Sequence, residues 1–240
     1  MRNRSNRKGC RTMEKESAKE KKLRTRQLIQ RLKRRYPEAR TALAYSNALE
    51  LLVSTILSAQ CTDARVNMVT PGLFARYPDV WSLAEADPAE LESMIRSTGF
   101  FRSKARSIIG ASKAIVERHA GQVPQTMAEL TALPGVGRKT ANCVLGGAFG
   151  IQSGIVVDTH VQRLAARLEL SANVTPEKIE ADLMELVPKK EWYRLSNLLI
   201  LHGRQTCTAR NPNCERCTLL DLCPFPVRGR GRAREPKKSR

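Results

Sequence analysis

Residues 133–160 read LPGVGRKTANCVLGGAFGIQSGIVVDTH, and this stretch decides how the rest of the chain is interpreted. Gly135 and Gly137 flank one apolar residue, and because neither has a Cβ, the backbone there can adopt positive φ and approach a ligand closely. The helix that Gly137 opens has first-turn amides without intrahelical acceptors, and with the helix dipole they form an anion site that fits a phosphate. The stretch therefore predicts two helices joined by a phosphate-binding hairpin; an ordinary turn between helices is the alternative.

Two charged residues in the same stretch are candidates for chemistry. Lys139 lies in the first turn of the second helix, where the positive end of the dipole disfavours an ammonium group and favours a neutral, nucleophilic amine. Asp158 precedes a segment with apolar residues at helical spacing, so it is predicted to be an N-cap whose carboxylate can also stabilise a nearby cation. A phosphate-binding lysine and an ordinary cap are the alternatives for these two positions.

Apolar residues at helical spacing recur along most of the chain and predict an all-α fold. Thr126, with Glu129 three residues later, predicts one helix start, and Thr175 followed by proline predicts another. Only residues 155–157, IVV, are typical of a strand, and three residues are too few for one. Three glycines are predicted to end helices: Gly99, Gly121 and Gly203.

The formal net charge of +19 is concentrated at the two ends of the 240-residue chain. Residues 1–26 hold eleven Lys or Arg against three Glu, and residues 224–240 hold seven against one. Because such segments bury little apolar surface, residues 1–26 and 227–240 are predicted to be disordered basic tails. Basic tails favour a nucleic-acid partner over a membrane, and a purely solubilising role is the alternative. With neither a membrane span nor a secretory signal in the sequence, we expect an intracellular, cytoplasmic protein.

Four of the seven cysteines cluster near the C-terminus in the pattern C-x6-C-x2-C-x5-C. An intracellular chain rarely uses such a set for disulfides, so the pattern predicts a metal centre. Four thiolates suit tetrahedral zinc or a [4Fe-4S] cluster, and the spacing leaves both open. Arg210 lies between the first two cysteines and predicts a basic loop that faces phosphates. The four candidate ligands are Cys207, Cys214, Cys217 and Cys223.

Three motifs stand in the order typical of one DNA-repair family: LLVSTILSAQCTDARVN, LPGVGRKTAN followed by VDTH, and HGRQTCTARNPNCERCTLLDLC. On these motifs the chain resembles the endonuclease III family of helix-hairpin-helix DNA glycosylases. The resemblance implies two helical lobes flanking a DNA-binding cleft, with a six-helix barrel domain containing the helix-hairpin-helix motif at residues 41–152. It assigns residues 27–40 plus 153–226 to an iron-sulfur cluster domain, and the four cysteines to a [4Fe-4S] cluster.

The resemblance also implies a bifunctional DNA glycosylase and AP lyase of base excision repair that removes oxidised pyrimidines of the thymine glycol type. Lys139 would attack C1′ of the flipped nucleotide, and Asp158 would assist it. The resulting Schiff base would lead to β-elimination and strand cleavage. The implied partner is double-stranded DNA containing damaged bases or abasic sites, bound by a monomer that associates with the nucleoid.

Further residues are implied to contact the DNA. Gln60 matches the family glutamine that fills the space left by the flipped base. Phe100 stands where relatives often carry leucine as an apolar wedge, and core packing is the alternative for Phe100 or its neighbour Phe101. Ser58 and Asp63 are candidate pocket residues beside Gln60. The remaining DNA-binding predictions are Gly135, Val136, Gly137, Arg138 and Arg210.

Three other functions remain open at this point. The alternative within the enzymes is a mismatch-specific DNA glycosylase. Lys139 argues against those mismatch-specific glycosylases that have no lysine at this position. A non-catalytic iron-sulfur DNA-binding redox sensor is disfavoured because Lys139 and Asp158 are both present. A zinc-bound scaffold is the third alternative. His160 is predicted to be a packing or hydrogen-bonding histidine rather than a general base.

Overall fold

A computed structural model describes residues 16–225 of the chain. Within these residues the regular structure is entirely helical, and no strand is formed. Cys10 and the predicted tail at residues 227–240 lie outside the described residues. The described part contains eleven α-helices: α1 (Ala18–Arg35), α2 (Ala48–Leu57), α3 (Asp63–Arg76), α4 (Val80–Ala84), α5 (Pro88–Ile95), α6 (Phe101–His119), α7 (Met127–Thr131), α8 (Arg138–Ala148), α9 (Thr159–Arg167), α10 (Pro176–Leu186) and α11 (Trp192–Gln205).

The prediction that residues 1–26 are disordered is wrong for residues 18–26, which form the first turns of α1. Ser17 caps this helix in a capping box with Glu20. Thr25 is buried, and the Arg24 guanidinium donates to the Leu168 carbonyl oxygen at 2.8 Å. The prediction is based on net charge. It is wrong because most of the basic side chains of this segment lie on the exposed face of an amphipathic helix.

The buried apolar side chains form two clusters, which correspond to two helical lobes. The first cluster takes its residues from Leu43 to Leu145, and the second from Leu28 to Tyr36 and from Ile155 to Leu219. The predicted domain bounds, residues 41–152 and residues 27–40 plus 153–226, stay a prediction. The buried residues of each cluster fall within one of these two domains. Helix α11 of the second lobe contacts α8 of the first, so the helix opened by the glycine-rich hairpin lies at the junction of the lobes.

Most of the predicted helix ends agree with the structure. Thr126 accepts a hydrogen bond from the Glu129 amide, and Gly99 and Gly121 take φ of +72° and +79° just after a helical segment. The prediction for Gly203 is wrong, because this residue lies inside α11. A Cβ there would lie 3.0 Å from an Arg163 nitrogen, so glycine at this position allows close packing and does not form a turn.

The apolar residues 155–157 run in an extended conformation between α8 and α9 without joining a sheet. Their backbone donors bond to side chains instead. The Ile155 amide donates to the Glu180 carboxylate at 3.1 Å, and the Val156 amide donates to the Ser196 hydroxyl at 2.9 Å. These bonds satisfy buried amides that would otherwise be costly, and they fix the segment that leads to Asp158.

Candidate functional site

The glycine-rich hairpin joins α7 to α8 as the sequence predicts. Gly135 takes φ of +74°, and a Cβ there would lie 2.4 Å from Ser107, so only glycine fits. Gly137 does not use the freedom to take positive φ: its φ of −90° and ψ of 173° are the extended values usual for an N-cap. Val136 is buried and anchors the hairpin in the first lobe. Since Gly137 has no side chain to cap α8, the first amides of that helix are left for an external acceptor.

The Arg138 side chain is engaged within the protein. Its Nε and Nη2 atoms donate to the two carboxylate oxygens of Glu180 at 2.7 and 3.1 Å, in a bidentate pair. Glu180 is 5 % exposed and also accepts from Asn142 Nδ2 at 3.0 Å. Arg138 has 48 % of its side chain exposed. No pattern in the sequence predicts the pairing of Glu180 with Arg138, because Glu180 is one of several acidic residues on the amphipathic helix α10.

Lys139 and Asp158 line the same pocket, which lies between the two lobes and has a volume of about 360 Å³. Lys139 lies in the first turn of α8, and Asp158 is the N-cap of α9, as predicted. One carboxylate oxygen of Asp158 accepts from the amides of His160 and Val161, both at 2.8 Å. The positive ends of two helices therefore meet at this pocket, beside an amine and a carboxylate.

Burial changes the acidity of two further side chains in the pocket. Burial raises the pKa of the Cys143 thiol to about 11 and that of the Tyr193 phenol to about 12. Both groups are therefore neutral near neutral pH. A neutral thiol is a poor nucleophile, so Cys143 does not compete chemically with an amine in the same pocket.

The pocket wall also holds polar groups from both lobes. Ser58 and Asp63, the candidate pocket residues, both line it. Asp63 forms an ion pair with Arg204 of α11 at 2.7 Å, a partner that the sequence analysis missed. His160 lies within 3.1 Å of an Arg163 guanidinium nitrogen, which agrees with a hydrogen-bonding histidine.

Gln60 and Phe100, the two residues predicted to enter the DNA, share an unusual backbone conformation. Their φ values of 52° and 47° lie in the left-handed region, which is uncommon for residues other than glycine. Gln60 is exposed, and Phe100 is 64 % exposed. Phe101 packs against the first apolar cluster. The core-packing alternative therefore holds for Phe101 and is wrong for Phe100.

The four clustered cysteines line one cavity at the end of the second lobe. Burial raises the pKa of the Cys214, Cys217 and Cys223 thiols, and coordination to a metal would favour their thiolate form. Arg167 Nη1 lies 3.2 Å from Cys207 Sγ, and the Leu219 amide lies 3.4 Å from Cys217 Sγ.

These donors fit thiolates that carry negative charge. The four cysteines around one cavity supply the all-thiolate donor set that a [4Fe-4S] cluster takes. Arg210, in the loop between the first two cysteines, is exposed.

Two family models match the chain. One, described as HhH-GPD superfamily base excision DNA repair protein, matches residues 53–189, and the other, described as iron-sulfur binding domain of endonuclease III, matches residues 207–223. The chain belongs to the endonuclease III family. Endonuclease III from Synechocystis sp. is 54 % identical over 204 residues, covering 85 % of this chain and 93 % of the relative. The Escherichia coli K12 protein is 39 % identical over 199 residues, covering 83 % and 94 %.

Solved structures of endonuclease III agree with the fold. A non-covalent Endonuclease III–DNA complex gives a TM-score of 0.82 at 40 % identity, covering 87 % of this chain and 98 % of that chain. A trapped Endonuclease III–DNA covalent intermediate gives 0.82 at 40 % identity, covering 86 % and 97 %. A thermostable thymine-DNA glycosylase, with a TM-score of 0.75 at 23 % identity, shares the fold.

Membership of the endonuclease III family confirms several predictions. The protein is a base excision repair DNA glycosylase and AP lyase with an all-α, helix-hairpin-helix fold and a [4Fe-4S] cluster as its cofactor. Its partner is DNA. Within residues 16–225, no helix combines the length and the apolar character that crossing a membrane requires.

Proposed function

We propose that the protein removes oxidised pyrimidines of the thymine glycol type from duplex DNA through a Schiff base formed by Lys139. The observation that carries the proposal is that Lys139 and Asp158 line one pocket, each at the positive end of a helix. Cys143 and Tyr193 are neutral, so neither competes with the Lys139 amine in that pocket.

The proposed reaction releases the base first and cleaves the strand afterwards. The Nζ atom of Lys139 forms a bond to C1′ while the bond from C1′ to the base breaks, and the base leaves with that electron pair and takes a proton. Asp158 stabilises the positive charge that develops on the sugar. Nζ loses a proton to the departing base, and the C1′–O4′ bond then breaks to give a protonated imine while O4′ takes a proton from water. The C2′ proton passes to water, and the electron pair that it leaves expels the 3′-phosphate as the C3′–O bond breaks in β-elimination. Hydrolysis of the imine releases Lys139.

The polar pocket wall supports an oxidised pyrimidine as the substrate. Ser58 offers a hydroxyl, Asp63 a carboxylate and Arg204 a guanidinium, and these groups can bond to the hydroxyl, carbonyl and N–H groups of such a base. A ring that has lost aromatic stacking also leaves the duplex at lower cost than an intact base.

The DNA-facing residues are assigned from their exposure and conformation. The unsatisfied first amides of α8, at the Gly135–Gly137 hairpin, bind a backbone phosphate at an abasic or damaged site. Gln60 and Phe100 occupy the space left by the flipped nucleotide. Arg210 contacts the backbone from the cysteine loop, and the protein acts as a monomer.

Cys207, Cys214, Cys217 and Cys223 hold the cluster. When bound, the [4Fe-4S] cluster serves as a structural crosslink that draws the C-terminal segment together. The residues around the four cysteines orient the sulfur atoms: Arg167 and the Leu219 amide approach two of them, and His202 lies 3.5 Å from Cys217 Sγ. Burial lowers the pKa of His202 to about 4, so this imidazole is neutral.

Borohydride trapping on a duplex with one thymine glycol tests the mechanism. The native protein is expected to form a covalent adduct that Lys139→Gln abolishes, while Lys113→Gln, an exposed lysine on α6, leaves it unchanged. An adduct that persists in Lys139→Gln would exclude Lys139 as the nucleophile. Trapping of an abasic duplex without trapping of thymine glycol would retain the lysine mechanism and reject the assigned lesion.

A further inference from the structure

The mechanism leaves one buried cation without a role. Lys104 lies in the first turn of α6 with 4 % of its surface exposed. Its ammonium group donates to the carbonyl oxygens of Leu57 and Thr98, both at 2.8 Å. None of the carboxylates between residues 16 and 225 forms an ion pair with it. A buried charge held only by main-chain carbonyls is costly, so its placement calls for a reason.

Both carbonyl groups stand at helix ends, where a cation is favoured. Leu57 is the last residue of α2, and Thr98 is the last residue of a single turn of 3-10 helix, Arg96–Thr98. Their carbonyls are among those that a helix leaves unpaired at its C-terminal end, where the dipole is negative. Burial lowers the pKa of Lys104, and the nearby Cys61 thiol opposes that effect.

The two carbonyl groups also begin the two loops that carry the DNA-entering residues. Gln60 follows Leu57 by three positions, and Phe100 follows Thr98 by two. The main-chain amide of Lys104 additionally donates to the Phe100 carbonyl oxygen at 3.0 Å. Lys104 therefore contacts the base of one loop through its ammonium group, and the other loop through both its ammonium group and its amide.

The conformation of these loops requires such support. Gln60 and Phe100 both have left-handed backbone conformations, which residues other than glycine keep only when the surrounding structure imposes them. The hydrogen bonds of the Lys104 ammonium group join the base of one loop to the base of the other.

We propose that Lys104 is a positioning residue that ties the Gln60 loop to the Phe100 loop, so that both side chains enter the duplex at a fixed separation. The inference rests on the proposed function, which assigns both residues to the DNA. The proposal implies that Lys104 speeds the extrusion of a paired base, because unpairing and unstacking require Phe100 and Gln60 to be held rigidly as they enter the duplex. It matters much less where the base is already missing.

The test compares two reactions of the intact, cluster-containing protein. Single-turnover rates are measured for base release from a duplex with thymine glycol opposite adenine, and for strand cleavage at a preformed abasic site. Lys104→Met removes the charge and the donors at similar length, and Lys104→Gln keeps a neutral donor. Lys113→Met, an exposed lysine on the same helix, is the matched control.

For both Lys104 variants we expect base release to fall about tenfold or more, with abasic cleavage within about threefold of native, because extrusion of the base carries the extra barrier. In a protein that already carries Gln60→Ala and Phe100→Ala, the Lys104 substitutions should have little further effect. The control should match native in both reactions.

Equal losses in both reactions would show a general structural role and overturn the inference, as would unchanged base release. A full effect of Lys104→Met in the Gln60→Ala, Phe100→Ala background would also overturn it. The proposed function fails separately, if the native protein forms no borohydride-trapped adduct that depends on Lys139.

Discussion

The Asp158 carboxylate has two functions that a pair of substitutions can separate. It caps α9 by accepting two amides, and its charge lies in the pocket of Lys139. Asparagine is about as good an N-cap as aspartate, so Asp158→Asn should keep the free energy of unfolding within a few tenths of a kcal/mol. Asp158→Ala should lower it by about 1 kcal/mol.

Both variants should slow borohydride trapping by about 100-fold, because each removes the charge beside the reacting sugar. Urea unfolding and single-turnover trapping measure the two effects on the same protein samples. Rapid trapping by Asp158→Asn would mean that a neutral cap suffices and that the charge has no catalytic role.

The Cys143 thiol makes folding stability depend on pH. Its folded pKa of about 11 lies above the ordinary value of 9.0, so the folded state holds the proton more tightly than the unfolded state does. This contribution is complete below pH 9 and is lost as the pH rises from 9 to 11, in total roughly 2 to 3 kcal/mol.

Other groups also titrate in that range, so the native protein is compared with Cys143→Ala by urea unfolding at pH 8 and pH 11. The native protein should lose more stability than the variant between the two pH values. Equal losses would show that the thiol titrates normally. Trapping by Cys143→Ala near neutral pH should match native, since the neutral thiol takes no part in it.

At the scale of elements, the hairpin between α7 and α8 depends on two glycines for different reasons. Gly135 takes positive φ, and a Cβ there would meet Ser107 at 2.4 Å, whereas Gly137 has extended backbone and open space around its Cβ position. Gly135→Ala should therefore destabilise the protein by about 1 to 3 kcal/mol.

Gly137→Ala should change the free energy of unfolding by less than about 1 kcal/mol, since an N-cap tolerates the backbone and only a weak cap preference is lost. Any large effect of Gly137→Ala should fall on DNA affinity, because the new methyl group stands beside the amides assigned to phosphate. Thermal unfolding and binding of an abasic-analogue duplex measure the two. Equal destabilisation by both alanines would contradict the distinction.

The sequence predicted those elements whose causes are local. The Asp158 cap, the Thr126 cap and the turn at Gly135 each depend on residues within a few positions of one another. Lys104 and Glu180 were not predicted as functional, because their partners lie 47 and 42 residues away in the chain. Local patterns carry no information about such pairs.

The same limit explains the errors in the prediction. Gly203 suggests a helix end by residue type, yet it allows α11 to pack closely against Arg163 and His160 of α9. The positive charge of residues 18–26 suggests a disordered tail, yet these residues begin α1, and the later turns of that helix contain buried residues. In each case packing from a distant part of the chain decides the structure.

At the scale of the whole molecule, Glu180 joins the two lobes beside α8, the helix that carries Lys139. Its carboxylate, on α10 of the second lobe, accepts from Arg138 and Asn142 on α8 and from the Ile155 amide in the segment leading to Asp158. One buried carboxylate thus fixes the helix that carries Lys139 relative to the segment that carries Asp158. This arrangement places the two catalytic candidates in one pocket although they come from different helices.

Removing the arginine of this pair should be far more costly than removing an exposed one. Arg138→Met leaves Glu180, with 6 % of its side chain exposed, as a buried charge without its cation, which should lower the free energy of unfolding by about 3 kcal/mol. Arg76→Met is the matched control, because Arg76 binds Glu90 in the same bidentate way at 2.7 and 2.9 Å, with both side chains exposed. Arg76→Met should lower the free energy of unfolding by less than about 1 kcal/mol.

Urea unfolding of native, Arg138→Met, Glu180→Gln and the double variant measures this coupling. The double variant should recover part of the stability that Arg138→Met loses, because neutralising Glu180 removes the unpaired buried charge. Trapping by Arg138→Met should fall as well, since the helix of Lys139 loses its tie to the second lobe. Additive losses in the double variant, or equal losses in Arg138→Met and Arg76→Met, would show that Glu180 does not hold the lobes together at the pocket.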